Sequence, residues 1–390
     1  MKFSIENYTH TVGNKNEIDG LMRIVLVLQR FFGQHILNPD WTWKRFCLYQ
    51  LATFALFLYV LAGTFAILKE TDDIKMIAEA TYTLVVTGVS FIKYCIITSK
   101  RFVFRKLYVE LKSSLYDIVR DDSEEKMKKV FDDGKKSVYY IFFFALCTII
   151  MYTARVMWCN LQGQKVTLSL TTSILMPMET PYYQLGLILH SIYFIEVCFI
   201  IIQVDMWLVL FVFFFCVTSD ITLKILTVEK RRQGENRIEY AVRLNDSLKR
   251  FYRLHVKQVN FLSMLNDTFK WITVVIQVNI CICICTVLLL VQKGAESAFA
   301  VNILHSIAEL IGFSWLGEQI KTKTNNWKMA LLDFDWTNLQ QKDKRSYYIL
   351  MCYMNQEFGL QSAIGGDLVL ITVSKVLKFS YQVYTVLQSM

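Results

Sequence analysis

Residues 366–388 read GDLVLITVSKVLKFSYQVYTVLQ, near the end of a chain of 390 residues. As a helix this stretch is long enough to cross the ~30 Å hydrocarbon core of a bilayer. It nevertheless carries many polar side chains: Thr372, Ser374, Lys375, Lys378, Ser380, Tyr381, Gln382, Thr385 and Gln388. Polar groups at membrane depth need water or protein partners. The stretch therefore predicts the wall of a pore or cavity.

The polar residues of this stretch are spaced so that many fall on one helix face. The stripe consists of Lys378, Tyr381, Tyr384, Thr385 and Gln388. Valine and leucine cover much of the remaining circumference, a pattern that suits a helix bordering water. We predict that Tyr381, Tyr384, Thr385 and Gln388 line a pore, with a tight helix–helix interface as the alternative.

The composition of the whole chain indicates a protein that crosses the membrane several times. Hydrophobic residues make up 54% and charged residues 19%, against about 25% charged residues in soluble proteins. The apolar residues lie in runs of roughly 20 or more, the length of a membrane-spanning helix. We predict an all-α membrane protein with seven spans: Phe46–Leu68, Met76–Thr98, Ser137–Cys159, Gln184–Val217, Trp271–Val291, Ala298–Ile320 and Gly366–Gln388.

Lysine and arginine are distributed very unevenly between the two sets of connections. The N-terminal segment and the loops after spans two, four and six are rich in them, whereas the other side carries only Lys69, Lys75, Lys165 and Lys293. Because basic loops stay in the cytosol, we predict a cytosolic N-terminus and an extracellular C-terminus. A seven-span G-protein-coupled receptor has the reverse orientation.

The fourth span and the basic segment after it point to helices that extend beyond the membrane. Residues 184–217 would form a helix of about 50 Å, so we expect it to tilt or to continue out of the bilayer. In Lys224–Lys257, apolar residues recur at three-and-four spacing among charges, which predicts an amphipathic helix. Its basic face suits solvent or lipid headgroups and needs no nucleic acid.

Ionisable residues inside the predicted spans are candidates for function, and Asp205 in span four is one of them. Lys93 lies near a cytosolic end, and we expect its long side chain to reach the interface. Arg155 either does the same or pairs with Glu79 or Glu196. Asn302, His305 and Glu309 share a face of span six, as an interhelical hydrogen-bond seam or as a ligand contact. Nucleophile, metal-ligand and phosphate-loop motifs are missing from the sequence, so we expect neither an enzyme nor a cofactor.

Several short motifs in the C-terminal region resemble the insect odorant receptor family. They are Gly317-Glu318, the segment Ala330–Trp336, the run Arg345–Gln356, the turn Ala363-Ile364-Gly365, and Leu377–Tyr381 leading to Leu387-Gln388. Leu332 departs from the family, which often has tyrosine there. Ser380-Tyr381 and the six residues before Gln388-Ser389 differ from the ending of gustatory relatives. The loop after span four is short, unlike that of the family's coreceptor, so the chain resembles a ligand-tuned subunit.

The resemblance implies an odorant-binding subunit of a ligand-gated, non-selective cation channel in the plasma membrane of an olfactory neuron dendrite. Its partners would be the odorant coreceptor in a heterotetramer, a small volatile odorant and membrane lipid. Carried onto this sequence, the ligand pocket among spans two, three, four and six would be lined by Thr81, Val85, Met151, Trp158, Tyr193 and His305.

The same resemblance divides the chain into four parts. Residues 1–45 would be a cytosolic segment, residues 46–320 six spans with the ligand pocket, residues 321–365 a cytosolic helical anchor, and residues 366–390 the pore-lining helix. A secondary transporter with a midplane site near His305 and Glu309 is the alternative, although no inverted repeat is evident. A G-protein-coupled receptor is a third reading, disfavoured because Asp-Arg-Tyr and Asn-Pro-x-x-Tyr motifs are missing from spans three and seven.

Overall fold

The computed structural model describes residues 23–31, 37, 42–111, 124–164, 179, 181–227, 231, 233–292, 298–356 and 358–389. The predicted N-terminal segment, residues 1–45, therefore lies mostly outside the described residues. In the described part the chain is almost entirely helical, and its β-structure is limited to one isolated bridge between Gln361 and Asp367. The all-α prediction is confirmed for this part of the chain.

The first group of helices lies between Arg23 and Leu161, where the helix that contains the predicted third span ends. They are α1 (Arg23–Phe31), α2 (Trp43–Glu70), α3 (Ile74–Ser99), α4 (Arg101–Glu110) and α5 (Glu124–Leu161). The later helices are α6 (Tyr182–Leu226), α7 (Arg237–Gln292), α8 (Ala298–Leu332), α9 (Gln341–Tyr353) and α10 (Leu370–Ser389), with a short 3₁₀ turn at Trp336–Asn338.

Three described stretches are long and apolar enough to cross a membrane by length and composition: Met76–Ser99, Tyr182–Leu226 and Arg237–Leu289. They contain the predicted spans two and four, and span five except for its last two residues. Spans one, three and six lie inside α2, α5 and α8. The count of seven spans and the orientation of the termini stay predictions.

Two predicted helix boundaries are wrong. The amphipathic helix over Lys224–Lys257 is interrupted, because α6 ends at Leu226 and α7 begins at Arg237. Gly234 in the intervening turn has a φ of 86°, a conformation that glycine adopts without a steric penalty. From Arg237 the helix continues without a break through the predicted fifth span, so the predicted cytosolic part and the predicted span form one helix. The last helix begins at Leu370 and not at Gly366.

Helices α6 and α7 form the centre of the fold. Helix α6 packs against α1, α2, α3, α5, α7 and α8, and α7 additionally contacts α4, α9 and α10. A layer of fully buried rings joins α4, α6 and α7: Phe104, Trp207, Phe211, Phe261 and Phe269. The Phe104 and Trp207 ring centroids are 4.9 Å apart in an edge-to-face arrangement, which stabilises aromatic pairs beyond their buried area.

The predicted cytosolic ends of α7 and α8 meet α9 and the 3₁₀ turn in a second packed region. The Tyr240 hydroxyl donates a hydrogen bond to Asp335 over 3.0 Å. Partial burial alone would raise the pKa of Asp335. Hydrogen bonds donated by Asn338, Thr337 and Tyr240 outweigh that effect and hold the pKa of Asp335 below its ordinary value.

His255 is fully buried in this region among aromatic rings. The centroid of its ring is 5.7 Å from that of Phe251, 4.8 Å from Trp327 and 5.9 Å from Tyr353. Within the described residues neither ring nitrogen has a hydrogen-bond partner. A buried nitrogen without a partner costs stability, so this histidine acts here as an aromatic ring.

We expect His255→Phe to raise the thermal stability of the detergent-solubilised protein, by about 1 kcal/mol or more, because it keeps the ring packing and removes both nitrogens. His255→Ala is the matched control and should lower stability by roughly 2–4 kcal/mol through the cavity it leaves. Fluorescence-detected thermal unfolding measures both. A loss of stability in His255→Phe comparable to that in His255→Ala would mean that the imidazole makes a polar contact.

Candidate functional site

A buried cluster of charged side chains joins α3, α6 and α8, three of the helices expected to form the ligand pocket. Lys93 Nζ lies 3.1 Å from Asp205 Oδ1 and is also hydrogen-bonded to Glu309 Oε1. The Lys93 side chain is fully buried, whereas those of Asp205 and Glu309 are 16% and 10% exposed. The Phe313 ring centroid, one turn after Glu309, is 5.7 Å from the ammonium. We call Lys93, Asp205 and Glu309 the charged cluster.

The expectation that Lys93 reaches the membrane interface is wrong. Its ammonium points into the helix bundle because two carboxylates satisfy it there, and pairing offsets the cost of burying the charge. One ammonium faces two carboxylates, so the cluster has an excess of acidic groups. The cluster also fixes how α3, α6 and α8 lie against one another in the middle of the bundle.

The six residues expected to line the ligand pocket have different surroundings. Tyr193 is buried and packs with Val60, Val197 and Ile201 in a small apolar cluster between α2 and α6. Val85 is half-buried on α3. The Trp158 side chain is 64% exposed on α5. Met151 and His305 lie on α5 and α8, but their side chains are outside the described part of the structure.

The part of the bundle around Tyr193 is rich in aromatic contacts between helices. Phe57 of α2 stacks on Phe91 of α3 at a centroid distance of 4.9 Å, and Tyr59 lies 5.5 Å from His190 of α6. The Tyr183 hydroxyl donates to Asn160 Oδ1 over 2.5 Å, which ties the start of α6 to the end of α5. A site here would be mostly apolar with a few polar groups, as small-molecule sites commonly are.

Thr81 lines a groove on another side of α3. The groove, about 590 Å³ in volume, runs between α7 and α10. Its lining is apolar apart from a few side chains, among them Gln277 and Lys375. The structure therefore places Thr81 beside the last helix, and it does not bring Thr81 together with Tyr193.

Helix α10 packs on α7 and α8 through one apolar face. Val373, Val376 and Leu377 are partly buried on that face and Ser380 is fully buried. The opposite side is exposed. Ser374, Lys378, Gln382 and Thr385 form a polar face there, and the exposed apolar side chains of Ile371, Phe379 and Val386 lie beside it. Of the predicted pore residues, Tyr381, Thr385 and Gln388 are exposed. Tyr384 is half-buried, and its hydroxyl donates to Gln292 of α7 over 3.2 Å.

The chain before α10 forms a tight turn that is held by α7. Asn266 of α7 donates to the Gly359 carbonyl over 2.9 Å and accepts from the Gln361 amide over 3.0 Å. The turn closes with the bridge between Gln361 and Asp367, and Gly365 and Gly366 within it have φ of 94° and 85°. Two consecutive left-handed residues explain why glycines stand here and why the helix cannot begin at Gly366.

The first residues of α10 are also held by α8. A Cβ atom at Gly317 would overlap the Leu368 carbonyl oxygen, so the two backbones touch at this point. Lys321 Nζ lies 3.2 Å from Asp367 Oδ2. The Leu370 amide at the helix N-terminus donates to Glu318 Oε2 over 3.4 Å, a position that favours a carboxylate. We call Gly317, Glu318 and Lys321 together with residues 367–370 the α8–α10 clamp.

Sequence reasoning recognised these groups separately and missed how they combine. Lys93, Asp205 and Glu309 each stand out as ionisable residues at membrane depth, which was the available signal for the charged cluster. Gly317-Glu318 stands out as a family-like motif without an assigned role. The exposed polar residues Ser374 and Gln382 of α10 were visible only as polar residues in an apolar stretch.

The comparisons with known proteins agree with this architecture. The chain matches the family described as 7tm Odorant receptor over residues 73–381. Its fold is similar to that of the insect olfactory receptor OR5 from Machilis hrabei in complex with eugenol, with a TM-score of 0.74 and 11% identity over 96% of this chain and 99% of that chain. A second structure of that receptor gives a TM-score of 0.75 with the same identity and coverage. No curated protein sequence matches significantly.

At 11% identity the structural similarity supports the fold alone. The family match rests on the sequence, and it covers most of the chain, including α3 with Lys93, the clamp residues of α8, and α10 as far as Tyr381. The protein is a helical membrane protein of the 7tm odorant receptor family.

Proposed function

We propose that this chain is the odorant-binding subunit of a ligand-gated, non-selective cation channel, which opens when a small volatile ligand binds. It would span the plasma membrane of an olfactory neuron dendrite seven times, with a cytosolic N-terminus, and assemble with the odorant coreceptor as a heterotetramer. The observation that carries the channel proposal is the exposed polar face of α10, opposite the face that packs on α7 and α8. Polar groups at membrane depth need water or neighbouring subunits.

Of the residues predicted from the sequence, those that would contact the ligand in the outer half of the bundle are Val85, Met151, Trp158, Tyr193 and His305. Thr81 lines the separate groove beside α10 and would not contact the ligand. Tyr193 is the first of these to test, because it is buried between helices and its phenol ring suits a small apolar ligand. The complex of the similar receptor with eugenol makes eugenol a reasonable first probe. Binding opens the channel only if the ligand contacts the open state better than the closed state.

The test is whole-cell current in cells that express the chain with and without the coreceptor, during application of eugenol and of volatile esters, alcohols and aldehydes. A cation current that appears within milliseconds and persists without GTP is the expected result. A response that requires GTP would instead support a G-protein-coupled receptor. Substrate-coupled flux through the chain alone would support a transporter and reject the pore.

If the polar face of α10 lines the pore, Lys378→Gln should raise the single-channel cation conductance about two- to fivefold. The reason is that a lysine ammonium at a pore wall repels a passing cation by roughly 0.5–1 kcal/mol. Lys375→Gln is the matched control, since Lys375 lies in the groove between α7 and α10 and away from the centre of that face. Equal effects of the two substitutions would place the pore elsewhere.

A further inference from the structure

Helix α8 connects the charged cluster to the start of the last helix without a break. It runs from Ala298 to Leu332, roughly 50 Å at 1.5 Å per residue. Glu309 in its first half is bonded to Lys93 of α3, and Gly317, Glu318 and Lys321 two to three turns later hold residues 367–370. A continuous helix moves largely as a unit, so a displacement near Glu309 also moves the clamp.

We propose that Glu318 and Lys321, with the close contact at Gly317, are positioning residues that couple α8 to α10. The clamp carries a ligand-induced displacement of α8 to the first turn of the pore helix. This inference rests on the proposed function. It adds that the clamp residues set how effectively bound odorant opens the channel, while the affinity for odorant is set elsewhere.

The contacts of α10 differ along its length in a way that supports this role. Further along the helix, Val373, Val376 and Leu377 meet their neighbours through apolar contacts, which have no preferred direction. The interhelical hydrogen bonds of Ser380 and Tyr384 in this part go to α7 and not to α8. At residues 367–370, just before α10 and at its first residue, the contacts to α8 are directional: an ion pair at Asp367, a backbone contact at Leu368 and a carboxylate that accepts from the Leu370 amide. Directional contacts fix the position of the first turn relative to α8.

The α8 helix offers a matched control two residues beyond Lys321. Lys323 Nζ lies 2.7 Å from both carboxylate oxygens of Asp220 on α6, away from the clamp. Lys321 and Lys323 are thus lysines of the same helix, each paired with an aspartate. One pair reaches the chain just before α10, and the other ties α8 to α6.

The experiment compares Lys321→Met, Lys321→Arg and Lys323→Met in the full chain assembled with the coreceptor. In purified protein, Lys321→Met should speed amide hydrogen exchange of residues 367–372, because the ion pair that holds this segment is lost. Lys321→Arg and Lys323→Met should leave that exchange at the wild-type rate. Exchange in Lys321→Met equal to that of the wild type would overturn the role of the ion pair.

The second readout is the current evoked by the panel compound most active on the wild type, normalised to surface expression. Lys321→Met should reduce the maximal current about two- to fivefold, as expected from losing a partly exposed ion pair, with little change in half-maximal concentration. Lys323→Met and Lys321→Arg should keep the maximal current. A changed half-maximal concentration with unchanged maximum, or equal losses in Lys321→Met and Lys323→Met, would reject the coupling.

The two proposals fail in different ways. If no panel compound evokes current in the wild type with both subunits at the surface, the channel proposal fails and the coupling fails with it. Hydrogen exchange still decides whether Lys321 holds the start of α10. If the wild type responds and Lys321→Met responds equally well, the channel proposal stands and only the coupling is wrong.

Discussion

Lys93→Met is expected to remove most of the folded protein from the cell surface. The substitution preserves much of the side-chain volume but leaves the carboxylates of Asp205 and Glu309 in the bundle without their ammonium. Breaking a buried ion pair by removing one partner typically costs 3–5 kcal/mol, a large part of the stability of a domain. Surface labelling and thermal unfolding in detergent measure the loss.

Two further variants show whether charge is the cause. Glu309→Gln removes the second carboxylate and leaves Lys93 paired with Asp205, so we expect it to cost less than about 2 kcal/mol. The triple variant Lys93→Met, Asp205→Asn and Glu309→Gln removes every charge and should recover much of the stability lost in Lys93→Met. Wild-type stability of Lys93→Met would show that the lysine is not buried between the two carboxylates in the assembled protein.

The charged cluster illustrates what single-residue reasoning cannot determine. The three side chains were recognised as unusual, but Lys93 is 112 positions from Asp205 and 216 from Glu309 along the chain. Whether a lysine side chain can reach the membrane interface depends only on its depth in the membrane. Lys93 lies within about two turns of the end of α3, so the sequence alone favoured that interpretation. The carboxylates of Asp205 and Glu309 instead draw the Lys93 side chain into the bundle. That they lie close to Lys93 becomes evident only once the three helices are packed together.

The positions of helices were easier to predict than their faces and ends. Apolar runs of sufficient length locate the spans because the bilayer sets the length of a helix. They do not show which side of a helix faces its neighbours when apolar residues surround it, as in α5, where Trp158 proved exposed. Likewise, the sequence pattern that predicts α10 extends back to Gly366. The helix begins only at Leu370, because the backbone at Gly365 and Gly366 is left-handed.

Gly317→Ala should disturb the junction of α8 and α10 far more than a methyl group at Gly312, the other glycine of α8. The new Cβ would overlap the Leu368 carbonyl oxygen, a backbone atom that cannot rotate away as a flexible side chain can. Relief requires the segment before α10 to move away from α8, and overpacking of this kind costs about 1–3 kcal/mol or more. We expect a lower unfolding temperature and a severely reduced odorant-evoked current per channel at the surface.

Gly312→Ala is the control on the same helix, because a Cβ at Gly312 meets nothing within 4 Å. Alanine favours helix over glycine by about 1 kcal/mol, so this variant should be as stable as the wild type or more so. If Gly317→Ala does not fold, its current is uninformative, and the Lys321→Met comparison then carries the test of coupling. If both glycine variants fold and conduct like the wild type, α8 and the start of α10 are not in contact in the assembled channel. The clamp could then transmit no movement, because its ion pair and the Glu318–Leu370 hydrogen bond would join segments whose backbones are free to separate.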